Sequence, residues 1–86
     1  MIIHRGEAFG AFLKSKRRER RLTVRAMASL VGLDVGYYCG LESGLRFPLC
    51  NEDIFRLADA LKLARDERIT FHSLAFAVRP ELQSGV

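Results

Sequence analysis

The sequence predicts an all-α fold, a compact bundle of five short helices. Only 2 of the 86 residues are proline and 7 are glycine, whereas a turn-rich β-barrel would need more of both. Apolar residues make up 49% of the chain, which is enough for a folded core. Apolar side chains recur at helical spacing, and no stretch alternates in the two-residue period of a half-buried strand. Because the chain is short, we expect one domain over residues 1–86.

The first helix is expected over about residues 7–21. Phe9 and Leu13 lie four residues apart and form an apolar stripe, which Arg17 continues one turn further. A guanidinium that points toward a core needs a carboxylate partner there. Glu42 follows a core residue of the third helix, so we predict a structural ion pair between Arg17 and Glu42.

Capping residues mark the second and third helices. Thr23 is an expected N-cap, because its hydroxyl can accept a bond from an amide of the first turn. The second helix stops at Gly32, where glycine suits a left-handed cap. Asp34 is expected to cap the third helix, and Gly44 closes it.

The fourth and fifth helices follow a loop over residues 45–50. Asn51 is expected to cap the fourth helix, whose apolar residues Ile54, Leu57, Ala58 and Leu61 have the spacing of a helix docked on a core. The fifth helix is expected over about residues 66–78 and ends before Pro80.

The fifth helix carries more apolar side chains than one core contact requires. Seven apolar residues lie between positions 69 and 78 and spread around most of the helix. A second copy of the chain would cover the outer side in a twofold homodimer. The expected contact residues are Phe71, Leu74, Phe76 and Val78. In the alternative, Ile2, Ile3 and the amino-terminal arm fold back over this helix within one chain.

Positive charge is concentrated in the first half of the chain. The net charge is +4, but residues 1–46 carry nine basic and four acidic side chains. Seven basic residues and one acid lie from Lys14 to Arg25. Such a local excess is typical of a surface that binds a polyanion such as nucleic acid. A solvated helix face gives the same pattern, so charge alone does not distinguish it from a nucleic-acid-binding surface.

Other functional classes lack their sequence signatures. Cys39 and Cys50 form no C-x-x-C pair and have no nearby histidine, so we expect no metal site. No Ser/His/Asp, Cys/His, paired-carboxylate or glycine-rich phosphate motif is present, so neither enzymatic activity nor a cofactor is expected. The apolar runs fall far short of the roughly 18 residues that span a bilayer. The N-terminus lacks the features of a signal peptide, and a cytoplasmic location is expected.

The segment from Thr23 to Gly44 carries the most information about function. It holds two short helices joined by a glycine-containing turn, which is the helix-turn-helix plan. Over about residues 7–64 the chain resembles the phage-repressor-like helix-turn-helix regulators, the Cro-like, xenobiotic-response-element type. The residues that carry the resemblance are Phe9-Gly10, Leu13, Arg17, 22–28, 31–33, 37–44, Arg46, Pro48 and 57–61.

The resemblance implies that the third helix enters the major groove of DNA. The base-facing positions would then be Val35, Gly36, Tyr37, Cys39 and Gly40. Direct base reading should be poor, because neither glycine has a side-chain donor or acceptor. Phosphate contacts are expected from Lys16, Arg21, Arg25 and Arg46.

The predicted function is that of a transcriptional regulator with a sequence preference for double-stranded DNA. A repressor that acts by operator occupancy, as a homodimer, is the expected form. The alternative is a helix-turn-helix protein-interaction module, antitoxin-like or an adaptor, with weak or no DNA reading. The outward face of the third helix supports the alternative, because it is nearly without functional groups.

Overall fold

The computed structural model describes residues 7–48 and 50–78. In this part of the chain there are five α-helices and no strand, which confirms the all-α five-helix prediction. The helices are α1 (Glu7–Glu19), α2 (Val24–Val31), α3 (Val35–Ser43), α4 (Asn51–Ala60) and α5 (Arg65–Val78). The arm with Ile2 and Ile3 and the segment with Pro80 lie outside the described residues. The domain bounds 1–86 therefore stay a prediction.

All five helices contribute side chains to one core. α1 packs on α3 and α5, α2 packs on α3 and α4, and α4 packs on α5. The largest fully buried side chains are Tyr38, Phe9, Phe71, Leu13, Met27, Leu41, Ile54, Leu57 and Leu61. Burial of each such side chain favours folding by about 1.5–3 kcal/mol. Within the described residues, no helix is long and apolar enough to span a membrane.

The caps of α2 and α3 follow the sequence prediction. Thr23 Oγ1 accepts a hydrogen bond from the amide of Ala26 at 3.0 Å. Asp34 Oδ2 accepts one from the amide of Tyr37 at 3.1 Å. Gly32 and Gly44 close the two helices with φ angles of 70° and 83°. These left-handed angles are strained for residues with a side chain.

Two helix ends differ from the prediction. α1 ends at Glu19, because Arg21 adopts a left-handed φ of 56° and stops the helix. Asn51 was predicted to be the N-cap of α4, but it is the first residue of that helix, and Cys50 occupies the cap position. The backbone of Cys50 is extended there, and its side chain makes no capping bond.

α1 and α3 approach each other closely at Gly10. A β-carbon on residue 10 would overlap the backbone carbonyl groups of Glu42 and Leu41. Glycine is therefore required at this crossing. The crossing brings the side chain of Arg17, two turns further along α1, within reach of α3.

α5 lies against the core through Phe71, and this corrects the predicted dimer contact. Phe71 is fully buried and stacks on Phe9 and Phe12, with ring centroids 4.9 Å and 5.6 Å apart. It is unable to contact a second copy of the chain. Leu74 and Phe76 are half-buried and pack against the core. The side chain of Val78 lies outside the described part of the structure.

Candidate nucleic-acid interface

α2 and α3 are held in a fixed relation by a three-residue turn and a shared core. The Gly32 amide donates to the carbonyls of Ala28 and Ser29, and the Leu33 amide donates to Ala28 at 2.9 Å. Ala28 on α2 and Tyr38 on α3 are fully buried. Because one side of α3 is buried, its opposite side is turned to solvent.

The outward face of α3 consists of three exposed residues with small side chains, Gly36, Cys39 and Ser43. Their spacing places them on one side of the helix. The sequence prediction included Gly36 and Cys39 but missed Ser43. The helical period could have identified Ser43, because it follows Cys39 by four residues and Gly36 by seven.

The other predicted base-facing residues are less accessible to a DNA base. Val35 and Tyr37 are half-buried, and the Tyr37 hydroxyl donates to the carbonyl of Phe47 at 2.9 Å. Gly40 is buried, because the aliphatic part of Arg46 lies directly over it. Gly40 therefore presents no surface to a base, which corrects the prediction for this residue.

Arg17 and Glu42 are brought together in the crossing of α1 and α3. Arg17 Nε donates to Glu42 Oε2 at 2.6 Å, and Nη2 donates to Oε1 at 3.1 Å. Nη1 donates to the carbonyl of Leu22 at 2.7 Å. The two side chains are only 10% and 8% exposed. The bidentate bond with the carboxylate raises the pKa of the guanidinium.

Tyr38 completes this cluster, because its hydroxyl donates to Glu42 Oε2. Burial of the phenol and its bond to the carboxylate both raise the pKa of Tyr38 far above its ordinary range. The three side chains are therefore structural. They fix the end of α3 against α1.

Lys16, a predicted phosphate contact, links α1 to α5 within the chain. Its ammonium donates to Glu67 at 2.6 Å and to Glu19 at 3.5 Å, and it lies 5.4 Å from the centre of the Phe12 ring. The bond to Glu67 raises the pKa of Lys16. The side chain is only 17% exposed and is engaged in this ion pair, and its contact with phosphate stays a prediction.

The remaining predicted phosphate contacts are open to solvent. Arg21, Arg25 and Arg46 are exposed. Lys14 and Arg18, which the site prediction did not include, are exposed on α1 in the same way. Among the described residues, no carboxylate forms an ion pair with any of these five cations.

Histidine, cysteine and carboxylate side chains are dispersed over the described part of the structure. In residues 7–48 and 50–78, no group of three or more His, Cys, Asp or Glu side chains is placed to hold a metal ion. Cys39 and Cys50 are exposed and not joined in a disulfide. The residues that stand out are the exposed cations and the outward face of α3.

A family model for a helix-turn-helix domain matches residues 8–71, well over half of the 86-residue chain. The match runs from the first turn of α1 to the middle of α5. No curated protein and no solved structure matches the chain. The narrower resemblance to the phage-repressor-like subtype stays a prediction. The match over five helices, together with the geometry of α2 and α3, shows that the chain belongs to the helix-turn-helix domain family.

Proposed function

We propose that this chain is a transcriptional repressor that binds duplex DNA and acts by occupying its operator. Family membership supports DNA binding in general. The observation that carries the proposal is the group of exposed cations in residues 14–46 that have no carboxylate partner among the described residues, which are Lys14, Arg18, Arg21, Arg25 and Arg46. Cations that a fold leaves unpaired are available for phosphates.

The outward face of α3 suits close approach to the major groove. The groove is about 12 Å wide, which is the diameter of a helix with its side chains. Gly36, Cys39 and Ser43 add little to the helix backbone, so α3 can enter the groove without steric conflict. The same small side chains offer few base contacts. Affinity is therefore expected to depend mainly on phosphates and on the shape of the DNA.

Arg25 is the best-placed phosphate contact. It is exposed in the first turn of α2, where the free backbone amides of the helix also favour an anion. Arg21 is exposed two residues after the end of α1 and three residues before α2 begins. Contacts from both residues would fix α3 in register with the groove but carry no sequence information.

A salt titration on random-sequence duplex DNA tests the proposal. The affinity of the wild type is expected to fall linearly with the logarithm of the salt concentration. Arg25→Glu should weaken binding to every duplex and reduce that slope by about one. The matched control is Arg65→Glu, which makes the same charge change at an exposed arginine in α5. Equal losses in both variants would show a diffuse charge effect and contradict the proposed interface.

A second candidate function is the protein-interaction module. It is favoured by an exposed apolar patch on α4 and α5, formed by Phe55, Ile69, His72 and Phe76 and called here the α4–α5 patch. Phe55 and Ile69 are 53% and 61% exposed. The His72 ring lies 4.9 Å from Phe55 and 5.9 Å from Phe76.

His72 is the titratable member of the α4–α5 patch, and Arg65 and Arg68 border the patch. Burial, and to a smaller extent the nearby Arg68, lower the pKa of His72, which favours the neutral ring. Exposed apolar patches are typical of protein contacts. A wild-type chain that does not bind duplex DNA even at low salt would favour this second function. The homodimer stays a prediction, with Phe71 removed from its contact residues.

A further inference from the structure

Arg46 is held against α3, and Gly40 makes room for it. A β-carbon on residue 40 would overlap Cγ of Arg46 and would lie 3.0 Å from its Cβ and 3.6 Å from its Cδ. Three methylene groups of Arg46 therefore lie over the α-carbon of Gly40. The Arg46 amide also donates to the Gly40 carbonyl at 3.0 Å, so the backbone of Arg46 is fixed at the same place.

Gly40 lies beside the outward face of α3. It follows Gly36 by four residues and precedes Ser43 by three, so the three residues share one side of the helix. The stem of Arg46 therefore runs along the edge of the surface that would face a DNA groove. Arg46 is exposed, and its guanidinium has no hydrogen bond or ion pair within the described part of the chain.

The outward face itself offers few groups for base reading. Gly36 has no side chain, the Cys39 thiol is a weak donor, and the Ser43 hydroxyl already donates to the Gly40 carbonyl at 3.1 Å. A guanidinium, in contrast, presents a planar fork of donors that matches O6 and N7 of guanine.

We propose that Arg46, seated on Gly40, supplies the base-reading donor that α3 lacks and recognises a guanine in the major groove. Gly40 is then a positioning residue, whose missing side chain sets the place of the guanidinium. The inference rests on the proposed binding of duplex DNA. It moves Arg46 from the phosphate contacts to the base contacts.

The test begins with selection of duplexes bound by the wild type from a random pool. Dissociation constants are then measured for the selected duplex and for its single-base-pair variants. One guanine position should lose about 5- to 150-fold on replacement, the range of a bidentate contact. Replacing that guanine by 7-deazaguanine, which lacks the N7 acceptor, should cause a loss for the wild type and none for Arg46→Ala.

Variants separate base reading from charge. Arg46→Lys keeps the charge but not the fork, so it should keep the salt dependence and lose the preference for guanine. Gly40→Ala should lose the same preference. In the Arg46→Ala background, Gly40→Ala should have no further effect, because the residue that it positions is gone. Arg25→Ala is the control, and it should weaken binding to all duplexes alike and keep the guanine preference.

A uniform loss for Arg46→Ala, equal to that for Arg25→Ala, makes Arg46 a phosphate contact and overturns the inference. A further loss from Gly40→Ala in the Arg46→Ala background shows that Gly40 acts by itself and also overturns it. A wild type that binds no duplex at low salt instead overturns the proposed function. Thermal melting of Gly40→Ala verifies that the variant is folded.

Discussion

Arg17 is a charged residue that the core requires. Its guanidinium bonds both oxygens of Glu42 and the carbonyl of Leu22, and the pair is nearly inaccessible to water. Removal of one partner leaves a buried charge without compensation, which is far more costly than loss of a surface ion pair. The cluster therefore makes the packing of α1 on α3 sensitive to one carboxylate.

Glu42→Ala is expected to lower the free energy of unfolding by about 3–5 kcal/mol. Both Arg17 and the Tyr38 hydroxyl lose their acceptor in this variant. The control Asp59→Ala removes an exposed carboxylate that bonds Arg68 at 2.9 Å, and it should cost about 1 kcal/mol or less. Urea denaturation of the three proteins gives the comparison. Equal stabilities for Glu42→Ala and Asp59→Ala would show that the buried pair has no special role.

Tyr38 is expected to make stability fall at alkaline pH. Its pKa is raised in the folded state above the ordinary value near 10, so the folded chain holds the phenol proton more tightly than the unfolded chain. This contribution is complete below about pH 10 and is lost progressively as pH rises above it.

The measurement uses Tyr37→Phe, in which Tyr38 is the one remaining tyrosine. Absorbance at the tyrosinate band, followed with pH, should rise only where circular dichroism shows unfolding. A smooth titration near pH 10 in the folded protein would contradict the buried position of Tyr38.

For individual residues, the helical period decided which side-chain environments could be predicted from the sequence. Arg17 was recognised because it continues an apolar stripe, and such a position demands a partner. The ion pair of Lys16 was not predicted, because its partner, Glu67, lies 51 residues away on a helix whose approach to α1 is not encoded locally. The burial of Gly40 was also not predicted, because it depends on the path of the loop that carries Arg46.

At the scale of the helices, the ends are set by left-handed residues. Gly32 and Gly44 end α2 and α3, and they were predicted because glycine is common in such caps. Arg21 and Lys62, with φ angles of 56° and 51°, follow α1 and α4 and were not recognised as such. An arginine or a lysine in the sequence does not by itself predict a left-handed backbone. The boundary of α1 was therefore placed two residues too late.

Reciprocal substitutions test the strain at these ends. Gly32→Ala should cost about 1–2 kcal/mol, because the added β-carbon meets no atom within 4 Å and only the backbone angle is unfavourable. Lys62→Gly should be neutral or stabilising by up to about 1 kcal/mol, since it relieves the same strain. Denaturant midpoints at constant slope measure both. A Lys62→Gly variant that is as destabilised as Gly32→Ala would contradict the left-handed assignment.

At the scale of the whole molecule, the unexplained surface is the α4–α5 patch. The sequence indicated correctly that α5 has an apolar excess, but it assigned Phe71 to the outside. The period of one helix does not tell which of two apolar sides faces the core. Ile69, 61% exposed, is a better probe of assembly than the buried Phe71.

Sedimentation at micromolar concentration tests the predicted homodimer. The wild type should have twice the monomer mass of 9.7 kDa, and Ile69→Glu should return it to 9.7 kDa without loss of fold. The control is Thr70→Glu, an exposed neighbour outside the patch, which should keep the wild-type mass. A monomeric wild type rules out the dimer, and we would then expect the α4–α5 patch to contact a different protein.

We propose that α3, with the start of α2 and the Arg46 loop, forms the surface that contacts duplex DNA. Amide chemical-shift mapping by NMR, during titration with a duplex from the selected pool, tests it most directly. We expect the largest changes at Arg25, Gly36, Cys39, Ser43 and Arg46. Changes confined to the α4–α5 patch, or no changes at low salt, would contradict it.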